Sequence, residues 1–437
     1  MAIDRTALLN WYDDNRRRSR EIFSIIADAA YYDRPIPLRN PLVFYEGHLP
    51  AFSVNTLVKT ALGERGIDER LEILFARGID PDSKAAADES QASVWPSREE
   101  VREYVDAADE LVRSTIEHGE IENAGDPHRR NAASTFTILE HEAMHHETLL
   151  YMLHQLRHEA KLPPPGADPV SDDRLPPAGE IEIPKGQVTL GADRDELIFG
   201  WDNEFESERV DVEGFTIDQH NVSNGEFLRF VEAGGYTQPQ WWSPDAWDWV
   251  QSNRIEHPFF WARRDAVWMW RGMFDWIPLP QSWPVFVSHG EASAYAKWKG
   301  RRMMTEPEFH RAAYGTPSGV ERAHPWGDSA PTPEHGNFDF QSWEPRGIGS
   351  FPAGQSAWGV HDLVGNGWEW TSTVFAPFRG FAPMPTYPQY SADFFDGEHF
   401  VMKGASQATP ASLIRRSFRN WFRPTYPYVY AKFRCVS

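Results

Sequence analysis

Apolar positions in the first 160 residues recur three and four apart, the spacing that gathers them on one face of a helix. This pattern predicts helices over residues 3–30, 52–62 and 97 to about 118. Ser97-Arg98-Glu99-Glu100 carries the Ser-x-x-Glu signature of a helix start. A fourth periodic run covers residues 134–156, with Pro163-Pro164-Pro165 as its stop signal. Four helices with intervening loops predict a bundle, an architecture whose interior often houses metal sites. Residues 40–50, with His48 set among apolar and aromatic side chains, fall between the first two helices.

From residue 181 the pattern changes. Short apolar stretches, such as Gln187-Val188-Thr189-Leu190 and Phe215-Thr216-Ile217, alternate with Gly, Asp and Asn. Two short helices are predicted, over residues 224–233 and 306–314, in a domain otherwise made of short strands and aromatic loops. No internal repeat is present. The Pro-, Gly- and Asp-rich stretch before it reads as a linker. The expected organisation is therefore α+β: a helical domain over 1–162, a linker over 163–180 and a second domain over 181–437.

A chain of 437 residues exceeds one ordinary core, which agrees with two domains. Hydrophobic residues at 41% suffice for packed interiors. No apolar run suggests a membrane span or a signal peptide, so a cytoplasmic location is the expectation. The net charge of −21 argues against nucleic acid and anionic membranes as partners, since both select basic faces. Cys435 is the sole cysteine, which excludes an internal disulfide and a cysteine-held zinc or iron–sulfur centre. Most of the 19 tryptophans are expected in the cores, with a few available as an aromatic cage for a cation.

The candidate chemistry lies in Glu140-His141-Glu142-Ala143-Met144-His145-His146-Glu147. On a helix His141 and His145 share a face and can grip one transition metal. Glu142 and His146 fall about 100° further round. His141-Glu142-x-x-His145 also satisfies the zinc-peptidase pattern, with Glu142 as base, although the glycine and third histidine used by one peptidase class do not follow. His48 is a candidate third ligand. Three neutral imidazoles suit iron(II) and zinc alike, and spacing does not choose between them.

Five stretches of the second domain, in order, resemble the formylglycine-generating-enzyme (sulfatase-modifying factor, FGE-sulfatase) fold, a variant of the C-type-lectin fold. They are Val222-Ser223-Asn224-Gly225-Glu226-Phe227, Arg302-Met303-Met304-Thr305-Glu306-Pro307-Glu308-Phe309, Gly365-Asn366-Gly367-Trp368-Glu369-Trp370-Thr371, Lys403-Gly404-Ala405-Ser406 and Phe433-Arg434-Cys435. The first domain resembles the DinB-like four-helix bundle. With His48 and His141-x-x-x-His145, the whole chain is similar to the EgtB-type hercynine sulfoxide synthases of ergothioneine biosynthesis and the related selenoneine synthases. Formylglycine formation itself is not expected, because it relies on a cysteine pair.

The resemblance implies a non-heme iron(II) (Fe2+) enzyme that uses O2 to join a sulfur or selenium donor to the imidazole C2 of hercynine, Nα-trimethylhistidine. It implies His48, His141 and His145 as metal ligands and Tyr387, in a paired-tyrosine segment with Tyr390, as the proton donor. Asn420 and Trp421 match residues that hold hercynine; an indole face suits a quaternary ammonium group. Tyr390 and Met144 are also expected to bind substrate. Members that use γ-glutamylcysteine carry an aspartate and an arginine where this chain has Phe422 and, about a turn on, Tyr426. Gly404-Ala405-Ser406-Gln407 replaces the usual Gly-Gly-Ser-Trp, and Met144 replaces a glutamine of some members. These departures favour a selenosugar donor, hence selenoneine synthesis. Cysteine- or γ-glutamylcysteine-dependent sulfoxide synthesis is the alternative, and a non-catalytic lectin-like binder a more remote one.

Overall fold

The computed structural model describes residues 3–76, 94–167 and 174–437. Residues 168–173 of the expected linker lie outside the described residues. The chain divides into two compact units, one of residues 1–166 with 384–388 and one of residues 167–383 with 389–437.

The first unit is helical. Helix α1 (Arg5–Ser24) starts where the Asp4 carboxylate accepts the N–H groups of Thr6 and Ala7. It ends well before residue 30, because its chain is recruited elsewhere. Ala27 N–H bonds Ala160 O (3.0 Å) and Leu162 N–H bonds Ile25 O (2.8 Å). Helix α5 (Ala133–Gln155) ends at Leu156, whose backbone is extended, ahead of the prolines. In α4 (Arg98–His118) the Ser97 hydroxyl accepts Glu100 N–H, while the Glu100 carboxylate takes Arg70 as its partner.

The largest departure from the sequence reading is α2 (Leu42–Ser53), where a loop was expected. All twelve of its residues are buried. A helix apolar all round has no amphipathic period to betray it, and Pro50 in its interior reads as a breaker. It runs straight into a wider π-helical stretch, Val54–Ala61, so the predicted 52–62 helix is its continuation. A short helix, α3 (Glu69–Leu74), follows. Helices α1 and α2 each pack against both α4 and α5.

The second unit is built from small sheets. Strands β1 (Glu180–Ile183), β4 (Phe215–Asp218), β13 (Cys435–Val436) and β8 (Arg302–Met303) form one, in the order β1-β4-β13-β8. Another has the order β11-β10-β9-β12: Asn420–Phe422, Phe400–Ala405, Gly367–Val374 and Ala431–Lys432. A hairpin, β2 (Gly186–Leu190) with β3 (Glu208–Val212), and the meander β5 (Trp261–Arg264), β6 (Val267–Arg271), β7 (Trp276–Pro278) complete the set. The expected helices appear as α6 (Asn224–Glu232) and α9 (Glu306–Ala313). Two more, α7 (Pro244–Asn253) and α8 (His289–Trp298), were not anticipated. The second has a signal that was there to be read, a full capping box between Ser288 and Glu291.

The five recognised motifs serve this architecture. Ser223/Glu226 and Thr305/Glu308 are capping boxes opening α6 and α9. Asn366 (φ 63°) and the glycines beside it turn the chain into β9. Arg434, wholly buried, is paired with the Glu369 carboxylate of β9 and bonds Asn221 and His361 O. Among the described residues no helix is long and apolar enough to cross a membrane.

Candidate functional site

Helix α2 places Phe44, His48 and Phe52 on one face by their four-residue spacing. Helix α5 does the same for His141 and His145. The two faces meet: candidate ligand nitrogens of His48, His141 and His145 all lie within 4.8 Å of one another. The ring centroids are 5.2 Å apart for His48–His141 and His48–His145, and 4.5 Å for His141–His145. Phe52 lies flat on His141 at 3.5 Å, Phe44 stacks on His48 at 5.0 Å, and Tyr45 is 5.9 Å from His145.

Four ring nitrogens in this cluster are buried without a hydrogen-bond partner: His48 Nε2, both nitrogens of His141, and His145 Nδ1. Buried polar atoms are almost always satisfied, so several orphans in one place call for a missing partner. A metal ion fits that requirement. Tautomer and charge suit it too. His48 Nδ1–H donates to Phe75 O at 2.7 Å, which leaves the lone pair on Nε2. Burial pushes His48 down to about 4. Burial, then the neighbouring imidazoles, holds His141 well below the usual histidine range. Burial does the same for His145, with His48 and Arg39 adding to it. All three are neutral at pH 7, the state in which imidazole binds a metal.

Glu142 has another occupation. Its Oε1 accepts from Arg16 Nη1 and from Ser19 Oγ, both at 2.6 Å, and Ser19 Oγ also bonds His146 Nε2 at 2.9 Å. Arg16 reaches on to Asp109 at 2.6 Å. This buried cluster ties α5 to α1 and α4, and Glu142 is outside the histidine group. The peptidase-like pattern is therefore met in sequence while its acid is engaged as a structural ion-pair partner.

Residues 384–388 belong with the helical unit. The hydroxyls of Thr386 and Thr137 share a hydrogen bond of 2.8 Å. Tyr387 stands edge-on to His141 at 6.1 Å and to Phe52 at 5.3 Å. Met144, half-buried, is three residues beyond His141 on α5.

Asn420, Trp421 and Tyr390 come together within the second unit. Asn420 and Trp421 are on edge strand β11, opposite Met402 and Val401 of β10. The Asn420 side chain accepts Trp421 N–H at 2.8 Å. Trp421 lies parallel to Phe375 at 4.1 Å and presents itself edge-on to Tyr390 at 5.4 Å. Tyr390 stacks on Trp201 at 3.9 Å, and the neighbouring Ser391 hydroxyl bonds Asp202. Phe422 and Tyr426 stack on each other at 5.0 Å. Sequence reasoning missed Phe52, Phe75, Trp201 and Phe375, which gain meaning only from their neighbours.

The fold and site define a class: a helical histidine-bearing domain followed in the chain by a sheet-rich one. Residues 12–149 match the DinB superfamily, and residues 166–437 match the Sulfatase-modifying factor enzyme 1-like domain. The chain is 36% identical to a Mycobacterium tuberculosis protein named hercynine oxygenase, over 68% of this chain and 69% of that one. It is 30% identical to ergothioneine biosynthesis protein 1 of Neurospora crassa, over 92% of this chain and 54% of the relative. A formylglycine-generating enzyme of Mycobacterium tuberculosis is 29% identical over 47% of this chain and 77% of its own length. The chain belongs to the hercynine oxygenase family, built from a DinB and an FGE-sulfatase domain.

Proposed function

We propose that this protein is an iron(II)-dependent enzyme that uses O2 to replace the imidazole C2–H bond of hercynine by a carbon–selenium or carbon–sulfur bond. The observation that carries the reading is the convergence of His48, His141 and His145 with four unpartnered ring nitrogens. It is supported by the relatives named hercynine oxygenase and ergothioneine biosynthesis protein. His48, His141 and His145 would hold the metal, which supplies redox chemistry toward dioxygen when bound.

The chain's own residues take the remaining roles. Tyr387, edge-on to His141, is assigned as the acid that delivers a proton from its phenolic oxygen. Phe44, Tyr45 and Phe52 make an apolar wall around the imidazoles, which keeps competing water out. Trp421, Tyr390 and Asn420 are assigned to hercynine. Aromatic faces suit its trimethylammonium group, which offers no N–H to a hydrogen-bond acceptor. Met144 is assigned to substrate binding.

For the donor we propose a selenosugar. Phe422 and Tyr426 form an uncharged stacked pair where γ-glutamylcysteine users carry an aspartate and an arginine. A zwitterionic peptide would leave its charges without those partners, which is costly away from water. The test offers iron-loaded protein hercynine and O2 with a selenosugar, cysteine or γ-glutamylcysteine in parallel, and identifies products by mass. A selenium product is expected. A sulfoxide from a thiol donor alone would reassign the donor, and no hercynine consumption with any donor would end the proposal.

A further inference from the structure

Gly47 sits in the interior of α2, immediately before His48. Glycine is the poorest helix former after proline, and nothing in the helical backbone here asks for it. The reason lies across the helix. A Cβ at position 47 would come within 2.5 Å of Phe75 Cδ2 and Cζ. Phe75 cannot turn aside, because its fully buried ring is packed against Phe44, Trp95 and Tyr104.

The same residue supplies the carbonyl that accepts His48 Nδ1–H at 2.7 Å. Its backbone is held by α3 and the turn before it. Glu72, buried, accepts Ile67 N–H at 2.6 Å, Asp68 N–H at 3.2 Å and Lys59 Nζ at 2.9 Å. Glu72 O takes Asn55 Nδ2 at 3.1 Å, and Phe75 N–H bonds Leu71 O at 2.9 Å. The segment is pinned to the π-helical stretch on one side and lies against the missing side chain of residue 47 on the other.

We infer that Gly47 and Phe75 are positioning residues for His48: the bare α-carbon of Gly47 seats the Phe75 ring, and the seated Phe75 carbonyl fixes His48 as its Nδ1–H tautomer with Nε2 free for the metal. This rests on the metal-centre reading above. A partner that orients a ligating histidine typically changes metal affinity 10- to 100-fold.

The test is a double-mutant cycle on the full, metal-free chain, titrated with cobalt(II) and followed by visible absorption. Gly47→Ala is expected to weaken cobalt binding about 10- to 100-fold in the wild-type background. In the Phe75→Ala background, where the obstructing ring is gone, the same change should cost less than about threefold. Melting of the metal-free variants is measured alongside. A merely structural role lowers melting while the folded protein keeps its affinity, which overturns the inference, as does an equal cost in both backgrounds. Should Gly47→Ala not fold, Phe75→Ala alone decides: weakened binding supports the inference and wild-type affinity overturns it. A wild-type chain that takes up no cobalt overturns the metal-centre reading itself, a result distinct from an indifferent Gly47→Ala.

Discussion

Glu142 separates the oxidative reading from a zinc-hydrolase one, because the two assign it incompatible work. In the structure it is a buried carboxyl with two donors at 2.6 Å, Arg16 Nη1 and Ser19 Oγ. The side chains of Arg16 and Glu142 are only 5% and 2% exposed, so water does not screen the pair. Glu142→Ala removes both charge-assisted bonds and leaves Arg16 buried with Asp109 as its remaining ion-pair partner. Breaking a buried pair from one side costs about 3–5 kcal/mol. For a domain of this size that is on the order of 10 °C in melting temperature. Glu142→Gln keeps the length and one acceptor oxygen, and should cost about 1–3 kcal/mol. The assay is thermal and urea unfolding followed by the helical signal, with bound metal and hercynine consumption measured per folded molecule. Both variants should lose stability while folded Glu142→Gln keeps its metal and turnover within several-fold. A Glu142→Gln protein of wild-type stability and no activity would refute this reasoning and make Glu142 the base beside a metal-bound water.

Acid should destabilise the metal-free protein. His48 lies at about 4 when folded against an ordinary value near 6.5. The unfolded chain therefore takes up a proton that the folded one refuses, and stability present above about pH 6.5 is lost as pH falls toward 4. His48 alone contributes about 3 kcal/mol, and His141 and His145 act in the same direction; urea midpoints that do not move between pH 7 and pH 5 would contradict this. Tyr387→Phe should lower kcat by about 10²- to 10⁴-fold and leave metal content and the KM for hercynine near wild type, as steady-state oxygen consumption will show. Trp421→Leu should raise the KM for hercynine about 2- to 30-fold and leave the KM for histidine, which lacks the quaternary ammonium, much less affected.

The features that the sequence determined by itself are local ones. His141 and His145 share a face because a helix repeats every 3.6 residues, whatever it packs against. Ser97, Ser223 and Thr305 open helices because a hydroxyl three residues before a free N–H can satisfy it. The motifs that mark the FGE-sulfatase domain were legible because each occupies a few consecutive residues. What tertiary structure decided has partners far apart in the chain. Helix α1 stops where residues 25–27 pair with 160–162. Helix α2 is hidden from periodicity analysis by its burial on every side. Glu142 meets Arg16 across 126 residues, Tyr387 joins a unit whose other residues end at 166, and His48 takes its tautomer from Phe75. Local hydrogen-bond geometry can be read from neighbours in sequence. Burial and long-range pairing depend on which surfaces meet, and that is settled only once the chain has folded.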